Sequence, residues 1–454
     1  MWDNDGILEN GKEQATMKKF AFIGAGSLQF TGSCMRDLLT FPAFRDCEIA
    51  LMDINETNLQ NIYRVCLRIR EAMNCPDCKV TMTTSRAEAL KGADGVLCTV
   101  FNGDIDIWRY DIEIPKKYGV DINVGDTRSV SGIFRALRNI PLLLDISRDI
   151  ARYCPRAVFL NYTNPMAMLC QAMQKYTDVE VTGLCHSVQG TAKMLADWLN
   201  VPYDELVYTC AGVNHQAFYL ELSHNGVDLY PRLKKLVQEN REVYDREQVR
   251  NEMLLQLGYY VTESSGHNSE YNPWFRKRPD LIEKYCTHGT GGNPGEYAMS
   301  LKYRMERAKD PSKQYREWME KDVDTKKSAE YAADIFNARL GDGKPFVFNG
   351  NVPNHGAISN LPWDSCVEVP VVADRMGFRT TMVGDLPAHL AILVNTTARI
   401  ESLVVEAAMH HDKEAVYHAV DMDPLCAAVC SLQEIRSMCD ELFEINKDFL
   451  GDYR

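Results

Sequence analysis

The chain has 454 residues, and its 50 basic and 63 acidic side chains give a formal net charge of −13. No basic run is interleaved with aromatic residues, which argues against nucleic acid or an anionic membrane as the main partner. No stretch reaches the ~18 consecutive apolar residues of a membrane helix, and the N-terminus lacks the features of a signal peptide. We expect a cytoplasmic protein that acts on a small molecule, with its cysteines reduced.

The first predicted strand leads into a turn that contains two glycines. Residues 1–16 are polar and aperiodic, and we interpret them as an N-terminal extension without function. Residues 18–23 form an apolar run that enters Gly24-Ala25-Gly26-Ser27 and then a helical pattern. The glycines permit a tight turn that brings backbone amides close to a pyrophosphate at the helix N-terminus. Gln29 replaces the third glycine of the usual fingerprint, so an ordinary turn is the alternative.

A carboxylate ends the second predicted strand, residues 47–52. This residue, Asp53, follows Gly26 by 27 positions. A carboxylate at this place accepts hydrogen bonds from both ribose hydroxyls and repels a 2′-phosphate, so the pattern favours NAD over NADP. The alternative role for Asp53 is an N-cap of the helix predicted from about Glu56, which is compatible with nucleotide binding.

Strands and helices alternate through the first part of the chain. Further strands are predicted at residues 79–82, 95–100, 157–161 and 179–184, with helical patterns between them. This alternation predicts an α/β fold, a Rossmann-like doubly wound parallel sheet that forms an NAD-binding domain over residues 17–190.

The second part of the chain has a different pattern. It contains a strand at 206–213, a hairpin at 218–226 and helical patterns at 232–257, 321–340, 387–410 and 425–449. We predict a mixed α+β domain over residues 191–454 that holds the substrate and metal and forms the oligomer. No linker separates the two parts, so we expect an extensive interface between them.

A thiol and two imidazoles follow predicted strands. Cys185 and His186 come after residues 179–184, and His215 comes after residues 206–213. Open α/β sheets bind ligands at the carboxyl ends of their strands, and a thiolate with an imidazole suits a divalent metal of intermediate softness. The alternatives are a nucleophile with its base, or two unrelated side chains in the core.

Several short motifs are spread along the chain from Met17 onward. They are Gly24-Ala25-Gly26-Ser27, Gly125-Asp126 through Gly132-Ile133, Arg138-Asn139-Ile140-Pro141, Asn161-Tyr162-Thr163-Asn164-Pro165, Cys185-His186-Ser187-Val188, Gly212-Val213-Asn214-His215, Ile358-Ser359-Asn360-Leu361-Pro362 and Val383-Gly384-Asp385-Leu386-Pro387. In this order and spacing they resemble glycoside hydrolase family 4, the NAD- and manganese-dependent glycosidases. The resemblance covers nearly the whole chain.

The motif at 185–188, Cys-His-Ser-Val, resembles the α-galactosidase type of that family and differs from the phosphoglycosidase type. The stretches that correspond to the phosphate-binding segments of phosphoglycosidases are 101–104, Phe-Asn-Gly-Asp, and 295–297, Gly-Glu-Tyr. Neither supplies a guanidinium fork for a phosphate dianion, so we expect an unphosphorylated α-galactoside as substrate. Residues 127–132, Thr-Arg-Ser-Val-Ser-Gly, depart from the family's glycine-rich turn, and their contacts stay open.

The resemblance implies NAD+ and Mn2+, or another divalent cation, as cofactors. The implied route oxidises the sugar at carbon 3, removes the proton from carbon 2, eliminates the aglycone and finally reduces the sugar again. Cys185 and His215 would be the metal ligands. Asn164 would hydrogen-bond the sugar near the metal, with a turn-forming amide as the alternative.

The resemblance also implies the residues that transfer protons. Tyr259 is expected to be the base, with Tyr260 as its substitute and a plain core aromatic as the alternative. A phenol has an ordinary pKa of ~10, and a nearby dication would lower it. His186 is expected to protonate the leaving oxygen. The polar segment at 263–268 receives no role.

The resemblance further implies a homodimer or homotetramer. Within the family, the alternative substrate is another unphosphorylated glycone, such as an α-glucoside or a uronide. Outside it, an NAD-dependent hydroxy-acid dehydrogenase would also begin with the two glycines and the aspartate. A catalytically silent sugar or nucleotide sensor is a third hypothesis.

Overall fold

A computed structural model describes residues 17–287 and 294–454 of the chain, so the predicted extension at 1–16 lies outside the described residues. One sheet of twelve strands runs through the described residues. The strands of its first part are β1 (Lys19–Ile23), β2 (Glu48–Met52), β3 (Lys79–Thr83), β4 (Gly95–Cys98), β5 (Val158–Asn161) and β6 (Val181–Leu184).

Strands β1 to β6 are all parallel and follow the order 3-2-1-4-5-6 of a dinucleotide-binding sheet. This confirms the predicted Rossmann-like fold. Every residue of β4, β5 and β6 is buried, as expected for parallel strands that are covered on both faces. The helices of this part are α1 (Leu28–Leu39), α2 (Glu56–Ala72), α3 (Arg86–Leu90), α4 (Ile105–Lys117), α5 (Ser129–Tyr153), α6 (Met166–Tyr176) and α7 (Ser187–Trp198).

The core lies on both faces of the sheet because successive side chains of a strand point to opposite sides. In β1, Phe20 and Phe22 belong to the same apolar cluster as buried residues of α1 and α2, whereas Ala21 and Ile23 belong to the cluster formed with α5 and α6. The sheet therefore separates two helical layers, and its carboxyl edge stays available for a ligand.

The second part of the sheet is antiparallel and contains strands that the sequence patterns did not predict. Its members are β7 (Val207–Val213), β8 (Gln216–His224), β9 (Val227–Asp228), β10 (Phe346–Pro353), β11 (Cys366–Asp374) and β12 (Gly377–Thr380). Strand β10 pairs with β6, and β11 lies between β10 and β7. Strands β6 and β7, which are neighbours in sequence, are thus separated by two later strands.

The helix predicted at 232–257 is interrupted twice. Asn240 accepts a hydrogen bond from the Val243 backbone N–H and starts a new helix, and Glu247 leaves the helical region with a φ of −142° and a ψ of 55°. The helix predicted at 321–340 begins only at Ala332. The remaining helices are α8 (Tyr230–Glu239), α9 (Arg241–Arg246), α10 (Gln248–Leu257), α11 (Ser265–Asn268), α12 (Pro279–Cys286), α13 (Met299–Ala308), α14 (Lys313–Glu320), α15 (Ala332–Leu340), α16 (Ala388–His410), α17 (Lys413–Asp421), α18 (Pro424–Val429) and α19 (Leu432–Leu450). Within the described ranges, every helix is too short or too polar to cross a membrane.

Candidate active site

A cavity of about 800 Å³ opens at the carboxyl ends of β4, β5 and β6. Its wall contains residues that follow the parallel strands and residues from turns and loops of the second part, such as His215 and Glu263. This agrees with the usual place of ligands in open α/β folds. The lining residues are Phe30, Thr99, Val124, Asp126, Tyr162, Asn164, Met166, Leu184, Cys185, His186, Ser187, Gly190, Thr191, Met194, His215, Glu247, Arg250, Glu263, Ser264, His267, Met299 and Ser300.

The turn after β1 lies beside this cavity and has no room for side chains at its two glycines. Gly24 has a φ of +79°, and a Cβ there would lie 2.1 Å from the carbonyl oxygen of Thr99, which lines the cavity. A Cβ on Gly26 would lie 2.6 Å from Asp53 Oδ2. The backbone N–H groups of Gly24 and Ala25 both donate to the Met52 carbonyl at 2.9 Å. The turn is therefore fixed by hydrogen bonds within the protein, and the close approach of Thr99 and Asp53 leaves room only for glycine at both positions.

Asp53 is held by the turn and keeps the position predicted for it. Its Oδ2 accepts the Gly26 N–H at 2.7 Å, and its Oδ1 accepts the Asn55 N–H at 2.8 Å. The N-cap of α2 is Asn55, so the capping alternative does not apply to Asp53. Ser27, the N-cap of α1, makes no side-chain capping hydrogen bond. The first N–H groups of α1 thus have no side-chain cap, which suits a phosphate.

Three side chains of types that can bind a metal meet in the cavity. One donor atom each of Cys185, His215 and Glu263 lies within 4.8 Å of the others. His215 Nε2 lies 3.2 Å from Glu263 Oε2, and its Nδ1 lies 3.1 Å from the Tyr271 hydroxyl. A sulfur, an imidazole nitrogen and a carboxylate oxygen at this separation form a donor set for a divalent first-row cation. Glu263 received no role from the sequence.

The antiparallel part of the sheet positions His215 and Glu263, which both lie outside its strands. His215 was predicted to end a strand like those of the parallel part, but it lies in the two-residue hairpin turn between β7 and β8, with a φ of +62°. Its carbonyl accepts a hydrogen bond from Asn268 Nδ2 at 3.2 Å. Glu263 also has a positive φ, +63°, and follows Val261, which bridges to Phe218 of β8.

The charges of the cluster suit cation binding. Burial lowers the pKa of His215 to about 4, against the opposing charge of Glu263, so the ring is neutral near pH 7. Burial disfavours ionisation of Glu263, but the neighbouring His215 and His267 hold its pKa well below the ordinary value. Burial, with the charges of Glu368 and Glu263, raises the pKa of the Cys185 thiol. A neutral imidazole and an ionised carboxylate both present free lone pairs.

His267 lies between carboxylates in the same cavity. Its Nε2 is 3.2 Å from Asp126 Oδ1 and 3.4 Å from Glu270 Oε1, and its Nδ1 is 3.6 Å from Glu263 Oε1. Burial favours the neutral ring, but hydrogen bonding to Asp126 and Glu263 raises the pKa of His267 to about 10. The sequence offered only a run of polar residues at 263–268 as a signal for it.

Asp126 and Asn164 face each other across the cavity wall. Asn164 Nδ2 donates to Asp126 Oδ2 at 3.3 Å. The loop before Asp126 is anchored by Glu270, whose carboxylate accepts backbone N–H groups of residues 123, 124 and 125 at 2.7 to 3.0 Å. Both side chains therefore present polar atoms to a ligand next to the three donors.

His186 is half-exposed at the mouth of the cavity and is paired with a carboxylate. Its Nε2 lies 2.6 Å from Glu330 Oε2, and its ring lies 5.7 Å from that of Tyr162. Burial opposes the charged ring, but the hydrogen bond and charge of Glu330 raise the pKa of His186 above its ordinary value. The pair can hold a proton at the cavity surface.

Tyr259 and Tyr260 are not among the described residues that line the cavity, and their role as the base stays a prediction. The Tyr259 ring packs against Tyr230, with centroids 5.7 Å apart, and against His389 at 6.2 Å. Tyr260 is fully buried, and its backbone N–H donates to the Tyr230 hydroxyl at 3.1 Å. The backbone of this segment pairs with β8, which places both rings in an apolar cluster instead of at the site.

The departure at 127–132 also lies outside the cavity wall. Arg128 is buried, forms an ion pair with Glu401 at 3.3 Å and lies 5.0 Å above the Tyr271 ring. Its guanidinium donates to the Asn214 carbonyl. This segment therefore supports the His215 turn from beneath.

Comparison with known proteins assigns the chain to a family over most of its length. The model of the family 4 glycosyl hydrolases matches residues 19–201, and that of the family 4 glycosyl hydrolase C-terminal domain matches residues 210–426. An α-galactosidase of Bacillus subtilis (strain 168) is 39% identical over 449 residues, which cover 96% of this chain and all of that protein. An α-galactosidase of Rhizobium meliloti (strain 1021) is 38% identical, over 96% of this chain and 89% of its own length.

A solved structure shares the whole architecture. It is a 6-phospho-α-glucosidase from gut microorganisms in complex with NAD and Mn2+, with a TM-score of 0.81 and 21% identity. The match covers 96% of this chain and 100% of that one. At this level of identity the similarity establishes the fold.

The fold and cavity, with these matches, define the protein as a glycoside hydrolase built on a dinucleotide-binding fold. The chain belongs to glycosyl hydrolase family 4, because the family models match more than half of its length. The resemblance of the sequence motifs to this family is thereby confirmed.

Proposed function

We propose that the protein is an α-galactosidase for unphosphorylated α-galactosides and that it requires NAD+ and a divalent cation such as Mn2+. The observation that carries the proposal is a sugar-sized cavity in which Cys185, His215 and Glu263 converge beside the turn of Gly24. The α-galactosidases at 38–39% identity over most of the chain support the choice of glycone.

The residues fit both cofactors. The turn at 24–27 lacks space for a Cβ at its glycines, the start of α1 has no side-chain cap, and Asp53 stands where a ribose would bind. Cys185, His215 and Glu263 offer one ligand atom each, which leaves further coordination positions for sugar hydroxyls. When bound, the nicotinamide supplies reversible hydride acceptance at carbon 3, and the cation supplies an electrophile for the oxygens on carbons 2 and 3.

The other side chains of the cavity hold the sugar and move protons. Asn164 donates hydrogen bonds to the glycone from the wall next to the three donors. His267, oriented by Asp126, takes the proton from carbon 2 in place of Tyr259, because its ring lines the cavity. If a dication were bound at Glu263, its charge would oppose the imidazolium form of His267 and favour the neutral, basic ring. His186, paired with Glu330, donates a proton to the leaving oxygen.

Omission of each cofactor tests the proposal. The purified protein is assayed on an aryl α-galactoside with NAD+, Mn2+ and a thiol reductant, and each is left out in turn. We expect hydrolysis without net NADH, loss of activity without NAD+ or with a chelator, and solvent deuterium at carbon 2 of the product. Undiminished activity of the cofactor-depleted protein, or net NADH formation, would contradict the proposal.

A panel of aryl glycosides tests the glycone. We expect galactosides to be preferred over glucosides and uronides with the same leaving group. A preference for an α-glucoside or a uronide would contradict the proposed substrate but would be compatible with the proposed mechanism. Because the route passes through a planar carbon 2, both anomers belong in the panel.

We also propose a homodimer or homotetramer and a cytoplasmic location. The resemblance to the family supports the first, and the thiol at the proposed metal site supports a reducing compartment. Light scattering of the purified protein tests the assembly, because a monomer at micromolar concentration would contradict it.

A further inference from the structure

A buried ion pair forms part of the cavity wall. Arg250 and Glu247 both line the cavity, and their side chains are only 4% and 2% exposed. Arg250 Nε donates to Glu247 Oε2 at 2.7 Å, and its Nη2 lies 2.6 Å from Glu247 Oε1. The carboxylate therefore fills the guanidinium fork in a two-point contact.

Neighbouring residues hold both members of the pair in place. Arg250 Nη1 donates to Thr191 Oγ1 at 2.6 Å, and its Nη2 donates to Met194 Sδ at 3.3 Å. Glu247 Oε2 accepts the backbone N–H of Ser265 at 3.1 Å and its hydroxyl at 2.7 Å. The pair is fixed, and the arginine is not available to a ligand in this arrangement.

The remaining charges of the cavity are unfavourable for an anion. Among the described residues that line it, Arg250 is the only lysine or arginine. The carboxylates of Asp126 and Glu263 also line the wall, and the imidazoles of His186 and His267 already lie against Glu330 and Asp126. An entering carboxylate would thus meet the like charges of these side chains and, among the described lining residues, no lysine or arginine without a partner.

Resting on the proposed glycosidase function, we propose that Glu247 determines the substrate class. By occupying the Arg250 fork, Glu247 restricts the cavity to neutral hexosides and excludes glycones with a carboxylate at carbon 6. Without the charge of Glu247, Arg250 is a buried cation without a partner, and a uronate carboxylate fits its fork. One acidic side chain therefore separates galactoside from galacturonide specificity.

The variant E247Q tests this proposal. Glutamine keeps the size of the side chain and an oxygen for Ser265, but its NH2 group opposes an N–H of Arg250. The kcat/KM values for aryl α-galactoside and aryl α-galacturonide with one leaving group are measured with NAD+ and Mn2+. We expect the ratio of galacturonide to galactoside to rise about tenfold or more in E247Q, the gain of one charge-assisted hydrogen bond.

The double variant E247Q/R250Q is the matched control, because it removes both charges and should show no such rise. A folded E247Q with the wild-type ratio, or an equal rise in the double variant, would overturn the proposal. Galactoside hydrolysis by the wild type distinguishes the two failures. If the proposed function is wrong, the wild type does not hydrolyse galactosides; if only the role of Glu247 is wrong, it does.

Ligand binding to the wild type gives a second test that needs no variant. Competition by D-galactose and by D-galacturonate is measured on the holoenzyme, together with the shift in Tm that each produces. We expect galacturonate to bind about tenfold more weakly than galactose, because the Arg250 guanidinium is already paired with Glu247. Equal affinity for the two sugars would overturn the proposal even if E247Q does not fold.

Discussion

Replacement of Glu263 by glutamine should weaken metal binding about a hundredfold. Two unit charges about 4 Å apart interact by about 4 kcal/mol at an effective dielectric constant of about 20. A dication bound to Glu263, whose Oε2 lies 3.2 Å from His215 Nε2, is closer and doubly charged. Hydration of the free carboxylate offsets part of this attraction. We therefore expect a net loss of about 3 kcal/mol, or about a hundredfold in Kd.

The assay is calorimetric titration of metal-free protein with Mn2+ at constant pH, and it does not depend on activity. The matched control is E330Q, because Glu330 is also a carboxylate near the cavity but pairs with His186 and lies outside the three-donor cluster. Its Kd should change by less than about threefold, since separated charges are screened. An E263Q protein with native circular dichroism and wild-type Mn2+ affinity would refute the assignment of Glu263.

Three further predictions concern the nucleotide, the base and the buried charge. D53N should raise the Kd for NAD+ about tenfold and reduce discrimination against NADP+, as measured by fluorescence titration, because a charged hydrogen bond is lost. H267Q should lower kcat at least about a hundredfold, whereas Y259F should stay within about twofold; the reverse result would restore Tyr259 as the base. Burial raises the pKa of Glu368 to about 8 from an ordinary 4.5, so the unfolded chain ionises first. The contribution of Glu368 to the free energy of unfolding should therefore fall by about 1.4 kcal/mol for each unit of pH rise between these two values. Urea unfolding at several pH values measures this dependence, and the E368Q variant should lack it.

Local sequence patterns were sufficient to predict the strands and the glycine turn of the nucleotide-binding part. An apolar run before Gly24 predicted β1 and its turn, and Asp53 was predicted at the end of β2, where the structure has it. These features depend on residues that are close in sequence, because a strand, a turn and a helix N-terminus form within one contiguous segment. The same holds for Cys185, which directly follows β6.

Tyr259 was predicted to reach the cavity, but His267 of the same segment lines it, because the chain turns between the two residues. The bridge from Val261 to Phe218 directs Tyr259 into the apolar cluster beside Tyr230, while α11 brings His267 back to the cavity. The spacing of residues along the chain does not show where the chain turns, so it could not show which of the two side chains faces the cavity.

The sequence by itself determined the family, the fold class and the residue types available for chemistry, because motifs and hydrophobic periods are local properties. Only the tertiary structure decided that β10 and β11 stand between β6 and β7, and that Cys185 and His215 nevertheless meet Glu263. The physical reason is that sheet order is set by long-range strand pairing and the burial of apolar faces. Neither depends on sequence distance, so the partners of a side chain follow from the folded chain as a whole.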